Sequence, residues 1–186
     1  MGNNIVCPAW LSFGLVNGIR RVIHNPQKIC KEYVIPGSFV ADIGCGPGYF
    51  SIPMASMVGP RGKIISVDLQ AGMIEKLKKR IKKLNLEGKL DTILCDENSI
   101  GIKEKVDFVL TFWMVHEVKN KDLFFQQIRE ILKDDGRYLL VEPKLHVSKK
   151  DYFKTIKKAE LNGFEVKNDL RVAWSRATIL SKNKYP

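Results

Sequence analysis

This sequence predicts an α/β fold built on one doubly wound, mostly parallel sheet. Three observations predict it. Apolar strand-like runs alternate with amphipathic helical runs from Ser38 onward, the first run ends in the glycine-rich turn of "VADIGCGPGYFSIPMA" (Val40 to Ala55), and the last two runs have no helix between them. Alternating strands and helices imply parallel pairing through right-handed crossovers. A short connection without a helix permits only an antiparallel pair. The expected sheet has about seven strands, with the last one inserted antiparallel.

The elements follow in order. "NPQKICKEYV" reads as a helix with Asn25 as its cap and Pro26 at its first position. "FVADIG" is a buried strand, followed by a helix through "YFSIPMASMV", where Pro53 is tolerable near the first turn. "KIISVDL" is the second strand, and a lysine-rich helix at 71–84 carries Ile74, Leu77, Ile81 and Leu84 on one stripe. "LDTILCD" and "VDFVLTFW" are the third and fourth strands. "KDLFFQQIREILK" is a helix with Phe124, Ile128 and Ile131 or Leu132 at helical spacing. A turn at "DDG" precedes the fifth strand, "GRYLLVEP", and a helix at 149–162 places Tyr152, Ile156 and Ala159 inward. "GFEVKNDLRVAWSRATILSK" supplies the terminal pair. Residues 1–36 form an N-terminal helical cover or lid, and 37–186 form the single main domain.

The chain has 186 residues, 45% hydrophobic and 27% charged, the balance of a soluble globular domain. No apolar run is long enough to span a bilayer and the N-terminus lacks the pattern of a secretory signal, so a cytoplasmic protein with no membrane partner is expected. Cys7, Cys30, Cys45 and Cys95 lie too far apart for a zinc site or a disulfide framework, so no metal is expected. Cys45 lies inside the glycine turn, where a reactive thiol is conceivable. The net charge of +11 makes RNA a candidate partner, but its lysines fall on outward helix faces, which favours a solvated surface. Apolar residues near the N-terminus would allow a homodimer.

In an open parallel sheet, ligands bind beyond the carboxyl ends of the strands. The turn after the first strand reads GxGxG rather than GxGxxG, and no GK[ST] follows, which excludes a Walker phosphate loop. Acids accompany each of the first three strand regions. Asp42 precedes the turn, Asp68 ends the second strand where a carboxylate accepts from ribose hydroxyls, and Asp96 follows the third, where one accepts from an exocyclic amine.

The stretches "DIGCGPGYF", "VDL", "CDE", "DFVLTFWMVHEV" and "GRYLLVEPK" resemble the successive motifs of class I S-adenosylmethionine-dependent methyltransferases, from about Gly37 to the end, most closely the small-molecule branch. The resemblance implies a Rossmann-like fold, S-adenosyl-L-methionine as cofactor and S-adenosyl-L-homocysteine as product. Asp42 and the loop Gly44, Cys45, Gly46 and Gly48, with Tyr49 and Phe50, would surround the methionine part. Asp68 would hold the ribose, Asp96 and Glu97 would border the adenine, and Leu69 and Met73 would pack on the nucleoside. Bare glycine backbone suits the close approach of the cofactor's amino-acid end.

Methyl transfer from a sulfonium needs mainly alignment, and a base only where the acceptor must lose a proton. Phe112 and Trp113 would wall the cofactor and acceptor. His116 is the proton acceptor expected after the fourth strand, with Glu117 a weaker candidate. Glu142 ends the fifth strand on the same edge, as structure or as pocket lining. Trp10, Phe13 and His24 are further candidates for acceptor recognition. The alternatives are an RNA-modifying or metalloid methyltransferase, a non-catalytic S-adenosylmethionine-binding module, and a nicotinamide-dependent oxidoreductase.

Overall fold

The computed structural model describes residues 24–183. Seven strands, β1 (Phe39–Ile43), β2 (Lys63–Asp68), β3 (Leu90–Leu94), β4 (Val106–Phe112), β5 (Leu132–Pro143), β6 (Phe164–Leu170) and β7 (Ser175–Lys182), form one sheet in the order β3-β2-β1-β4-β5-β7-β6. Neighbours from β3 to β5 are parallel, and β7 is antiparallel to both β5 and β6. The final strand is thus inserted between β5 and β6 as expected, and its pairing with β6 is antiparallel, as the helix-free connection required. The order reverses between β1 and β4, so a crevice for ligands is expected at their carboxyl ends.

Helices cover both faces because successive strand residues point to opposite sides. Val40, Ile64, Phe108 and Leu139 pack against α1 (Pro26–Cys30), α2 (Ser51–Met57) and α3 (Ala71–Lys83). Ala41, Ile65, Val109 and Leu140 pack against α4 (Lys121–Ile131) and α5 (Lys149–Leu161). Side-chain caps set three of the helix starts, the first of them as the sequence implies, and Asn120 caps α4 by accepting from the Leu123 amide. Asn25 accepts from the Lys28 amide, and Ser148 accepts from the Asp151 amide. The stripe on α3 ends at Ile81: Leu84 is the C-cap and is exposed, because the chain turns away through Asn85 at φ +51°.

β5 departs from the sequence reading. Asp134, Asp135 and Gly136 are not a turn ahead of the strand but lie inside it. Leu132 pairs with Val106, the next pair is Arg137 with Phe108, and the residues between form a bulge. Asp107 holds this irregular start in place. One of its carboxylate oxygens accepts from Lys133 Nζ at 2.6 Å and the other accepts the Phe39 amide at 2.8 Å, tying β4 to β5 and β1.

Candidate functional site

The glycine loop hangs from β2. The amides of Gly44 and Cys45 both donate to the Val67 carbonyl, at 2.8 and 3.0 Å. The Asp68 carboxylate then clamps the loop: Oδ2 accepts the Gly46 amide at 2.8 Å and Oδ1 accepts the Gln70 amide at 2.9 Å. Arg80 fixes the far side by donating to the Pro47 carbonyl at 2.6 Å. Below the loop, buried Asp42 accepts from Ser51 Oγ at 2.5 Å, which couples the end of β1 to the first residue of α2.

Two of the glycines answer different demands. At Gly48 (φ +83°) a Cβ would stand 2.4 Å from Leu77 Cδ1 in the packed face of α3. At Gly46 (φ +54°) a Cβ would meet nothing within 4 Å among the described residues. Gly48 therefore serves packing, whereas Gly46 borders open space beside bare main chain. Gly48→Ala is expected to cost about 2–4 kcal/mol of stability, from a left-handed side chain plus overpacking, and Gly46→Ala only about 1 kcal/mol. Denaturant titration of the two variants reads this difference.

The structure corrects the idea of a reactive Cys45. Its side chain is buried, and burial first, then the Asp42 and Asp68 carboxylates, push the thiol well above its ordinary range, so it stays protonated. Cys95 is pushed up to about 11, again by burial first and then by Asp68.

The nucleoside candidates spread along the carboxyl ends of β2 and β3. Leu69 is half exposed and Met73 is buried. Asp96 lies on the surface, accepting the Asn98 amide at 2.7 Å. Its neighbour Cys95 donates its amide to the Asp68 carbonyl at 3.1 Å, so the segment after β3 is fastened to the end of β2. Glu97 receives Lys119 Nζ at 2.7 Å on both carboxylate oxygens.

An aromatic cluster joins the loop to the end of β4. Phe112 packs on Phe50 and His24, with ring centroids 4.5 and 5.3 Å apart, and His24 stands 4.9 Å from Trp113. Tyr49 Oη donates to the His24 carbonyl at 3.0 Å, while His24 Nε2 bonds the Ala173 carbonyl at 2.7 Å. Trp113 adopts φ +62° and donates its indole N–H to Ser175 Oγ at 2.9 Å. Ser175 carries no signal in the sequence, since only the insertion of β7 beside β5 brings it here. Trp10 and Phe13 lie outside the described residues.

Past Trp113, Met114 packs so closely on the loop that a Cβ at Gly44 would lie 2.7 Å from Met114 Cγ. A 3₁₀ turn over Val115–Glu117 follows and presents His116 to Glu142. Buried Glu142 binds His116 twice: Oε1 accepts its backbone amide at 3.1 Å, and Oε2 lies 2.5 Å from Nδ1. The Phe112–Val141 register explains the pairing, because it sets the turn that follows β4 beside Glu142 near the end of β5. His116 keeps 29% of its side-chain exposure, and its Nε2 is 3.9 Å from a Glu117 carboxylate oxygen. The hydrogen bond to Glu142 is the largest influence on the imidazole and raises its pKa above the ordinary value. Burial opposes this, the charges of Glu142 and Glu117 add to it, and Lys121 works against it.

Two clefts of about 520 and 530 Å³ lie elsewhere, one between α3 and the β3 edge and one near Tyr33, Asp107 and Arg137. Neither includes the glycine loop or His116. Among the described residues, no group of three or more His, Cys, Asp or Glu side chains converges to hold a metal ion.

A family model described as a methyltransferase domain matches residues 36–184. The demethylmenaquinone methyltransferase of Lactobacillus johnsonii is 26% identical over 151 residues, covering 77% of this chain and 60% of that protein. The ubiquinone/menaquinone biosynthesis C-methyltransferase UbiE of Francisella tularensis is 27% identical over 126 residues, covering 67% of this chain and 50% of that protein. This chain thus spans about half the length of such relatives. Among solved structures, a SAM dependent methyltransferase from Aquifex aeolicus superposes with a TM-score of 0.78 at 22% identity, over 87% of this chain and 91% of that one. Magnesium protoporphyrin IX methyltransferase from Synechocystis, solved with bound SAM, gives 0.67 at 20% identity, over 91% and 86%. The chain therefore belongs to the methyltransferase-domain family and shares the fold of the S-adenosylmethionine-dependent methyltransferases it superposes on.

Proposed function

We propose that this chain transfers a methyl group from S-adenosylmethionine to a small acceptor bearing an ionisable proton, with His116 as the base and Glu142 as the group that positions it. The observation that carries the reading is the His116–Glu142 pair, two residues past the Met114 that touches the glycine loop. The cofactor fits the residues present. Open space borders the main chain at Gly46, and the nearby Asp68 carboxylate has lone pairs beyond the two amides it already accepts. Asp68 would hold the ribose, Asp42 and the loop the methionine part, and Asp96 with Leu69 and Met73 the nucleoside side. When bound, S-adenosylmethionine supplies a methyl carbon on a sulfonium, so the leaving group is a neutral thioether that requires no acid.

The protein's own residues do the remaining work. Phe112 and Trp113 exclude water from one wall. Donation from His116 Nδ1 to Glu142 fixes the tautomer with its lone pair on Nε2, which accepts the acceptor's proton while Glu142 stabilises the imidazolium formed. The names of the relatives support a quinone-related acceptor in its reduced, hydroquinone form, whose ring hydroxyl gives its proton to the imidazole as general base while the methyl group is transferred. Of the N-terminal cover expected over 1–36, residues 1–23 lie outside the described residues, and the support for it is His24, which sits between Tyr49 and Trp113. Cys30, Cys45 and Cys95 are free thiols, which supports a reducing, cytoplasmic setting. RNA is the second reading, on the +11 charge alone. Strongly salt-dependent RNA binding would favour it.

Transfer of labelled methyl from S-adenosylmethionine to reduced naphthoquinones, followed against pH, tests the proposal. His116 works as a base only when neutral, so turnover falls as pH drops through its raised pKa. The acid limb therefore lies above the ordinary value of about 6.5. Glu142→Gln removes the largest raising influence and is expected to move the limb to lower pH, with Glu117 and Lys121 still facing the ring. An unmoved limb would remove His116 from the reaction. Cofactor binding without any transfer would leave a non-catalytic binding module.

A further inference from the structure

We propose that the rim made by the β5–α5 turn, the β6–β7 turn and the outer face of α5 docks on a bilayer surface rich in anionic headgroups. It would present the carboxyl ends of the strands to an acceptor dissolved in lipid. The proposal rests on the methyltransferase reading for the acceptor only, since lipid contact can be measured without the cofactor.

The inner face of α5 is accounted for, because Tyr152, Thr155, Ile156 and Ala159 are buried on the sheet. At 100° per residue the outer face carries Lys150, Phe153, Lys154, Lys157 and Leu161. Phe153 is 54% exposed and Leu161 75%. At the active-site end of this helix, Leu145 is 90% exposed and Trp174 is 62% exposed. The Lys144 amide donates to the Trp174 carbonyl at 2.9 Å, so the two turns carrying Leu145 and Trp174 adjoin. Trp174 sits at φ +55°, a left-handed conformation rare for a bulky side chain, beside the Ser175 that binds the Trp113 indole.

Single exposed leucines are ordinary. What separates this rim from scattered exposure is its pairing of aliphatic and aromatic side chains with cations. Lys149 Nζ stands 5.8 Å from the Phe153 ring centroid. The acids of the helix are already engaged, Asp151 by Lys154 and Glu160 by Lys157. Lys144, Lys149 and Lys150 form no ion pair within 4 Å among the described residues, although the charge of Lys150 acts on Asp151. RNA would use the lysines and gain little from Leu145 and Leu161. A second copy of the chain would use the apolar residues while its own lysines opposed it. Anionic headgroups over acyl chains satisfy both, with tryptophan at the interface and lysines reaching the phosphates. The sequence offered no membrane partner because it has no spanning run, but a peripheral contact needs none.

Co-sedimentation with vesicles tests this. The full chain is expected to sediment with phosphatidylcholine vesicles containing phosphatidylglycerol and to remain in solution with phosphatidylcholine alone. The variants Leu145→Ser/Trp174→Ser and Lys149→Glu/Lys150→Glu are each expected to partition at least about tenfold less. Both should retain the native circular dichroism spectrum and unchanged titration with S-adenosylhomocysteine, a readout that reports separately on the cofactor site. Wild-type protein that ignores anionic vesicles, or variants that bind them as well as wild type does, would overturn the proposal. So would a lipid-free dimer lost in the Leu145→Ser/Trp174→Ser variant, which would make the rim an interface between copies. RNA retention lost only with the lysines, without vesicle binding, would assign the surface to nucleic acid instead.

Discussion

Asp68→Ala is expected to weaken S-adenosylmethionine binding about 10- to 100-fold, the value of one or two hydrogen bonds to a charged acceptor. Two effects act together. The ribose hydroxyls lose their acceptor, and the Gly46 and Gln70 amides lose the carboxylate that now holds them. The second effect loosens the loop even without cofactor, so the variant should also unfold at lower denaturant. Asp68→Asn separates the two, because its amide oxygen can still receive one backbone N–H while offering the ribose a poorer acceptor. Affinity should then fall with less loss of stability. Binding unchanged in both variants would mean that Asp68 serves only as the clamp on the loop.

His116→Ala is expected to lower kcat by about 10²–10⁴-fold with little change in cofactor affinity. The magnitude follows from removing a positioned base while leaving the loop, Asp68 and the aromatic wall in place. Glu142→Gln should cost less than His116→Ala, since an imidazole remains, and the double variant should be no slower than His116→Ala alone. Additive losses would mean that Glu142 acts independently of the ring it binds. His116→Gln also helps: a side chain that hydrogen-bonds but cannot accept the proton should stay near the alanine level.

Much of the fold is legible in the chain because the signals are local. Short apolar runs such as Val40 to Ile43, buried on both faces, and helical stripes such as Phe124 and Ile128 report burial directly, and the missing helix before Ser175 dictates an antiparallel last pair. The start of β5 was hidden because Asp134, Asp135 and Gly136 have turn chemistry. What holds them in a strand is a contact between Lys133 and Asp107 on a neighbouring strand. The site divides in the same way. The glycines, Asp68 and His116 stand out by type and by position at strand ends. Asp68 as a clamp on Gly46, Glu142 as the partner of His116, and the Ser175 bond to Trp113 all depend on strand register, which no local spacing encodes. Cys45 misleads for a related reason, since its placement in a loop suggests access and its burial denies it.

Calorimetric titration of the full chain with S-adenosylmethionine, S-adenosylhomocysteine and NAD tests the central claim most directly. One site that takes both sulfur nucleosides, is weakened by Asp68→Ala and ignores NAD is the predicted result. NAD binding alone, or sulfur-nucleoside binding indifferent to Asp68 and Gly46, would contradict it.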